Sequence, residues 1–302
     1  MDLLKTCFRY REMLVSFTRR DLRQRYVGSV LGWPWPFIQP IITLAVYYLV
    51  FNVLLDQRFP KVLRDDIAER LGEDPDSTRV GSVLVVLLCT GLIPWMMTAE
   101  YVMRSANVIL ESGNLVKKMA FPTELLPVSL LGSYLLNMTI LFGVFLALTW
   151  IFTPFMSPLW WLFPVVVLCH ALLVLGLGYL LATANVFVRD VSQLLPIVVN
   201  LTFFLTPIVY VREILVDETG TPRPWVAIFD WNPFAHLVEL YRWVLVIPAE
   251  VRVRAAPGGG FEDLPVSHVY LVLALFAAFC FLLFQVGYRT FMANKHKFAD
   301  EI

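Results

Sequence analysis

The chain has 302 residues, 58% of them hydrophobic, 14% aromatic and only 16% charged, with a mean hydropathy of +0.69. Soluble domains carry about a quarter charged residues. Here the apolar residues also gather into long charge-free blocks, which excludes a soluble enzyme.

Those blocks are residues 26–55, 80–99, 125–188, 191–211 and 264–288. A transmembrane helix needs about 20 mostly apolar residues, so each block holds at least one span. The block 125–188 holds two, separated by the run Thr153-Pro154-Phe155-Met156-Ser157-Pro158. Six spans follow, at 35–55, 82–102, 125–152, 159–187, 191–210 and 266–288. The expected fold is an all-α integral membrane protein. It has six transmembrane helices, an N-terminal amphipathic interface helix, short re-entrant or gate helices in the outer leaflet, and cytoplasmic N- and C-termini. All of it forms a single transmembrane domain, 1–302.

The formal net charge of zero conceals a separation. With the N-terminus cytoplasmic, segments 1–32, 104–124, 189–190 and 289–302 hold 14 Lys/Arg against 8 Asp/Glu. The outside segments 56–79 and 212–263 hold 10 against 15. The excess of basic residues on one side follows the positive-inside tendency. Residues 1–25 carry seven Lys/Arg and no uninterrupted apolar run, so no cleavable signal peptide is expected.

In chain order, residues 3–26 predict the interface helix. Leu3, Cys7, Tyr10, Leu14 and Phe17 recur at spacings of four and three, and Phe8, Val15 and Leu22 widen the stripe. Lys5, Arg9, Glu12, Arg19, Arg20 and Arg23 occupy the other faces. Such a helix lies in the headgroup layer. Its arginines can fix depth by snorkelling or contact an anionic substrate, and the two roles are compatible. Gly28, Gly32, Pro34 and Pro36 then break the helix, and Trp33 and Trp35 sit where interfacial aromatics belong. An outside loop, 56–81, holds a short charged helix at Lys61–Leu71. Pro94 is expected to kink the second span.

In the cytoplasmic stretch 104–122, Asn107–Ser112 forms a helical turn or two ending at Gly113, followed by Lys117 and Lys118. Arg189-Asp190 makes a tight turn between the fourth and fifth spans. The gate region 211–265 is too polar to cross, but Phe234–Ile247 reads as a helix capped by Asn232, with Pro233 at its first position. At 1.5 Å per residue it reaches only about 22 Å. With Glu239 and Arg242 inside, it is expected to dip into the outer leaflet and return. Gly258-Gly259-Gly260 is a loop with no strand before it, and no phosphate cradle.

The chemistry present is sparse. The cores of the spans hold no Asp, Glu, Lys or Arg, the groups that proton relays and intramembrane catalysis use. His170 is the one imidazole in a span, expected as a hydrogen-bonded packing residue. No Gly-Lys pair occurs, so the chain lacks a GxxxxGK[ST] nucleotide loop and cannot draw on ATP by itself. Cys7, Cys89, Cys169 and Cys280 share no ligand spacing with each other or with histidine, so small apolar filler is expected. Neither a catalytic residue nor a metal site is identified. Aromatic side chains are dense: Trp35, Tyr47, Tyr48 and Phe51 near span one, Phe203, Phe204 and Tyr210 in span five, Trp225 and Trp231 outside. Rings can line a path for a sugar chain by stacking on its C–H surfaces; ordinary packing or lipid contact explains any single one equally well.

Several runs resemble a known family. They are Arg20-Asp21-Leu22 through Arg25-Tyr26, Ser29, Leu31-Gly32, Trp35 and Pro40; Gly91-Leu92-Ile93-Pro94-Trp95; Lys117-Lys118 to Phe121-Pro122; Asn185 through Arg189-Asp190; Thr206-Pro207-Ile208; Asn232-Pro233; and Phe298-Ala299-Asp300. In this order, over nearly the whole chain, they resemble the polysaccharide-exporting branch of the type-2 ABC exporter permeases, which includes O-antigen, capsule and teichoic-acid exporters. The resemblance implies a multi-pass permease of the bacterial inner membrane. Its partners would be a second copy of itself, two separate ATPase subunits holding the ATP and Mg that this chain does not bind, membrane lipids and a polyprenyl-diphosphate-linked polysaccharide. No nucleic acid is expected.

The same resemblance implies roles for residues. Arg19, Arg20, Arg23, Arg25, Leu31 and Gly32 would form the cytoplasmic mouth for the diphosphate headgroup. Asn107, Glu111, Asn114, Lys117 and Lys118 would couple to the ATPase, with the interface helix as a second docking element. Asn232, Pro233, Glu239 and Arg242 would build an outer gate. The loop 56–81 is longer than this family leads one to expect and could be a gate element or a partner contact. Two alternatives stand beside this reading. One is a type-2 permease for a small lipid or drug. The other is a membrane-embedded lipid-modifying enzyme, with Asp230 and Glu239 as its strongest outside candidates.

Overall fold

The structure, a computed structural model, describes residues 2–24, 34, 35, 38, 41, 42, 45, 46, 49, 68, 72, 74–117, 121–152, 157–208, 228, 229, 231–246 and 266–302. Among the described residues every regular element is helical and no strand occurs. Most of the first span, most of Lys61–Leu71, the triple glycine, Asp230 and Trp225 lie outside the described residues. So do Arg25, Leu31, Gly32, Tyr47, Tyr48, Phe51, Lys118 and Tyr210.

The N-terminal amphipathic stretch forms two helices, α1 (Asp2–Arg9) and α2 (Arg11–Gln24), rather than one continuous helix. Tyr10 is the joint, and helical hydrogen bonds still cross it, from Tyr10 N to Thr6 O and from Leu14 N to Tyr10 O. The stripe turns inward: Leu3 is buried, and Cys7, Tyr10, Leu14 and Phe17 are partly buried. Phe8 and Val15, which widen the stripe, stay exposed.

Helix α3 (Thr78–Glu111) begins where the Ser77 hydroxyl accepts from Val80 N and runs through Pro94 without interruption. The expected second span and the expected short helix at Asn107–Ser112 are therefore one 34-residue helix, about 51 Å long at 1.5 Å per residue. It stops at Ser112, and a four-residue helix, α4 (Gly113–Val116), follows. After it come α5 (Leu125–Phe152), a 3-10 turn at Trp160–Leu162, and α6 (Phe163–Phe187). Helix α7 (Asp190–Leu205) has 16 residues, about 24 Å, short of the ~30 Å hydrocarbon core. Helix α8 (Pro233–Leu245) precedes α9 (Val266–Asn294), which leads through a 3-10 turn, Lys295–Lys297, into α10 (Phe298–Glu301).

Four stretches are long and apolar enough to cross a membrane: Val86–Glu111, Leu125–Ala147, Trp160–Phe187 and Val266–Glu301. The protein is a multi-pass membrane protein. In lipid, apolar faces gain little by meeting each other, so helix pairs rely on close backbone approach at small residues. The most extensive pairing, α6 with α9, is built that way. A Cβ on Gly287 would overlap the Gly176 carbonyl oxygen, and one on Gly176 would lie 2.8 Å from the Phe284 amide nitrogen. The core of the bundle lies among Leu92 and Ile93 of α3, Leu173 and Val174 of α6, Leu240 and Val244 of α8, and Leu273 and Phe276 of α9, all buried. Outward-facing stripes remain apolar, with Leu271, Leu275, Leu282 and Val286 on α9 and Leu194, Ile197, Val198 and Leu201 on α7 exposed.

Candidate functional site

Both chain termini gather at one end of the bundle. Helix α2 docks along the start of α5: Thr18 Oγ1 donates to Ser129 O at 3.1 Å, and Ser133 Oγ donates to Thr18 O at 3.2 Å. Gly132 makes room for this contact, because a Cβ there would come 2.7 Å from Thr18 Oγ1. The Arg104 guanidinium of α3 grips the Asp21 carboxylate through both terminal nitrogens, and Glu100 Oε1 lies 3.9 Å from the same guanidinium. Asp21 is buried while Arg104 is partly exposed. The Phe17 ring meets Phe121 edge-on at 5.7 Å and carries the Arg20 guanidinium over its face. Arg19, Arg20 and Arg23 are exposed, so three guanidiniums face outward from a helix that is otherwise held fast. That arrangement can receive phosphate oxygens bidentately. Burial, reinforced by the Glu124 carboxylate, pushes the Cys7 thiol above its ordinary pKa.

Beside it, Asn185 near the end of α6 ties three segments together. Its Nδ2 donates to Ala106 O at 3.0 Å and to Asn107 Oδ1 at 3.1 Å, and its Oδ1 accepts from Ser192 N at 3.0 Å. Asn107 is thus a structural partner of Asn185, whereas Glu111, Asn114 and Lys117 stand exposed at the end of α3 and along α4. The resemblance pointed to the segment around Asn185 without giving that residue a role.

At the opposite end α8 is sunk into the bundle. Asn232 caps it, its Oδ1 accepting from Phe234 N at 3.0 Å, while Nδ2 donates to Leu205 O and Thr206 Oγ1, each at 3.0 Å. The Arg242 guanidinium donates to Ile208 O at 2.7 Å. The Thr206-Pro207-Ile208 and Asn232-Pro233 motifs, remote in sequence, therefore form one joint between α7 and α8. Glu239 and Arg242 are buried, and His236 Nδ1 lies 3.7 Å from Glu239 Oε2. Gly91 of α3 lets this joint close against it, since a Cβ there would stand 3.0 Å from Ile208 O and 3.2 Å from Val238 Cγ1.

Between the two ends lies a polar knot that sequence spacing does not reveal. His170 Nε2 is 2.7 Å from Thr98 Oγ1 and 2.9 Å from the Tyr134 hydroxyl, and Nδ1 is 3.1 Å from the Tyr241 hydroxyl. All four side chains are buried, and they come from α6, α3, α5 and α8. The only available signal was the isolated histidine in an apolar run. Its partners lie 36 to 72 residues away.

The expected aromatic path is only partly within view. Trp35 is partly buried. Phe203 packs against Trp95 at 6.1 Å, and Trp95 in turn meets Phe234 edge-on at 5.5 Å, at the α7–α8 joint. Phe204, next to it, meets the Phe203 ring edge-on at 5.3 Å and leaves 74% of its own surface exposed. The two neighbouring rings do not share one face. Among the described residues no group of three or more His, Cys, Asp or Glu side chains is placed to hold a metal ion.

Comparison with known proteins bears on the whole assembly. Residues 13–246 match the family described as ABC-2 type transporter. An O-antigen export system permease protein, RfbA, from Myxococcus xanthus is 29% identical over 242 residues, covering 80% of this chain and 82% of the relative. An O-antigen export system permease protein of the same name from Klebsiella pneumoniae is 23% identical over 290 residues, covering 96% and 94%. A second Klebsiella pneumoniae protein of that name matches with the same identity and coverage.

Proposed function

Because this chain belongs to the ABC-2 type transporter family, as a membrane subunit rather than a catalytic enzyme, we propose that it is the permease of an ATP-driven exporter of lipid-linked polysaccharide. The substrate class is an O-antigen-like glycan on a polyprenyl diphosphate, moved from the cytoplasm across the bacterial inner membrane. Two copies pair around one path with two ATPase subunits, the chain crosses six times, and both termini face the cytoplasm. The curated relatives, named for O-antigen export and aligned over most of their length, support the substrate class.

The observation that carries the mechanism is the reach of α3. One end of this single helix runs into the exposed Glu111, Asn114 and Lys117, and its other half packs against α8 and the Thr206–Ile208 turn. ATP-driven movement of the coupling segment would then pass along one rigid element to the gate. Arg19, Arg20 and Arg23, exposed on a helix bolted to α3 and α5, would hold the diphosphate at headgroup height while the glycan enters the path and the isoprenoid tail stays in lipid. Phe203 beside the α7–α8 joint would contribute a stacking surface there.

The test is reconstitution with the cognate ATPase. Polymer-linked lipid should stimulate ATP turnover while small amphiphiles do not, and stimulation by small amphiphiles alone would replace this reading with a lipid or drug permease. Arg20→Glu with Arg23→Glu should lower export about tenfold or more, as loss of charge-assisted phosphate contacts would, with the complex still assembled. Wild-type export by an assembled double variant would remove the arginines from the headgroup role.

A further inference from the structure

We propose that the C-terminal tail and the coupling segment form one composite docking surface for the ATPase subunit, an inference that rests on the exporter reading above. A four-residue helix such as α4 has no stability of its own and must be held by its surroundings. The tail does this holding. Phe298 is fully buried, its ring 5.0 Å from Phe291 of α9 and 6.3 Å from Phe187 at the end of α6. The chain then turns back, with Ile302 N bonded to Phe298 O at 3.3 Å. Ile302 comes so close to α4 that a Cβ on Gly113 would lie 2.9 Å from Ile302 Cγ2. At the base of the tail, Lys295 Nζ stands 3.5 Å from Glu124 Oε2.

Around this contact the outward side chains are mixed in sign. Glu111, Asn114 and Lys117 lie on one flank and His296, Lys297, Ala299, Asp300 and Glu301 on the other, all exposed. A face of both charges with the exposed Ala299 among them, beside an Ile302 already packed on α4, fits a water-soluble protein rather than lipid. A protein that presses on α4 meets the tail in the same contact. Because α10 continues from α9, which is locked to α6 through Gly176 and Gly287, force applied at the tail enters a second long helix in parallel with α3.

Three variants of the full chain, each with one introduced cysteine, test this by maleimide labelling with and without bound ATPase subunit: Asn114→Cys on α4, Ala299→Cys on the tail and Trp231→Cys at the opposite end. Of the native thiols, Cys89, Cys169 and Cys280 are buried, and the partly buried Cys7 is replaced by serine in every variant. Bound ATPase should slow labelling at both Asn114→Cys and Ala299→Cys by about tenfold, as water-excluding contacts do, and leave Trp231→Cys unchanged. Protection at Asn114→Cys without protection at Ala299→Cys overturns the composite surface while leaving the coupling segment as the docking site. Protection at neither overturns both. Deleting residues 299–302, which keeps Phe298 in place, should weaken retention of the ATPase about tenfold; full retention also overturns the inference.

Discussion

His170 shows how a polar side chain is tolerated at the centre of an apolar bundle. The Thr98 hydroxyl spends its single proton on Pro94 O, at 2.8 Å, so Thr98 can only accept from the ring. The arrangement is then satisfied by the tautomer with its proton on Nε2, leaving Nδ1 to accept from the Tyr241 hydroxyl. Each such bond contributes about 1 kcal/mol net, whereas a buried hydroxyl without a partner costs about 1–3 kcal/mol. Tyr134→Phe should therefore lower stability by about 1 kcal/mol and His170→Leu by about 3 kcal/mol or more, since the latter strands the Tyr134 and Tyr241 hydroxyls on two helices while Thr98 keeps its bond to Pro94 O. Thermal unfolding in detergent distinguishes them; equal shifts would mean that the histidine is only filling space. The Asp21–Arg104 pair follows a different rule, because Arg104 can turn to water when its partner is lost. Asp21→Asn should cost about 1–2 kcal/mol, between the exposed and buried limits for ion pairs. It should also raise proteolysis within α2 more than elsewhere, since α2 loses its tie to α3.

Between helices, backbone proximity sets the tolerance to substitution. Gly287→Ala drives a methyl group into the Gly176 carbonyl and should cost about 3 kcal/mol through displacement of α9 from α6. Gly143→Ala meets nothing within 4 Å and should be neutral or raise stability by up to about 1 kcal/mol through helix propensity. Unfolding of the two variants side by side checks the contrast, and equal behaviour would remove Gly287 from the contact. Which glycines matter was not legible in the sequence, because it depends on what stands opposite. Long charge-free runs did give the all-helical membrane character, since lipid admits few ways to satisfy a backbone, and the Asn232-Pro233 pair gave the start of α8. The stop at Ser112 is legible from Gly113, but the continuity before it is not: apolar periodicity continues past the membrane, so the sequence reads as a span and a separate turn where one helix runs from Thr78 to Glu111. The break at Tyr10 has no sequence signal, lacking both glycine and proline. The joint between Thr206 and Asn232 could be found only once the fold brought the two motifs together.

Across the whole molecule, α3 runs from the α7–α8 joint to the proposed docking segment, about 30 Å away, the distance that 20 residues of helix cover from Gly91 to Glu111, close to the hydrocarbon thickness. If α3 transmits the stroke, damage at its two ends should have different signatures. Gly91→Val places methyl groups against Ile208 O and Val238, where the α7–α8 joint seats, and touches nothing at the coupling end. The assembled complex should then keep its ATP turnover while export falls by about tenfold, the loss expected when a 1.4 kcal/mol bias shifts a two-state gate. Glu111→Lys leaves the α7–α8 joint intact and reverses a charge on the proposed docking face, so ATP turnover and export should fall together. Measuring turnover and glycan release in the same vesicles gives their ratio for each variant. A ratio that drops for Gly91→Val and holds for Glu111→Lys is the signature of one lever worked from one end and read at the other; equal ratios would mean that the two ends communicate by another route.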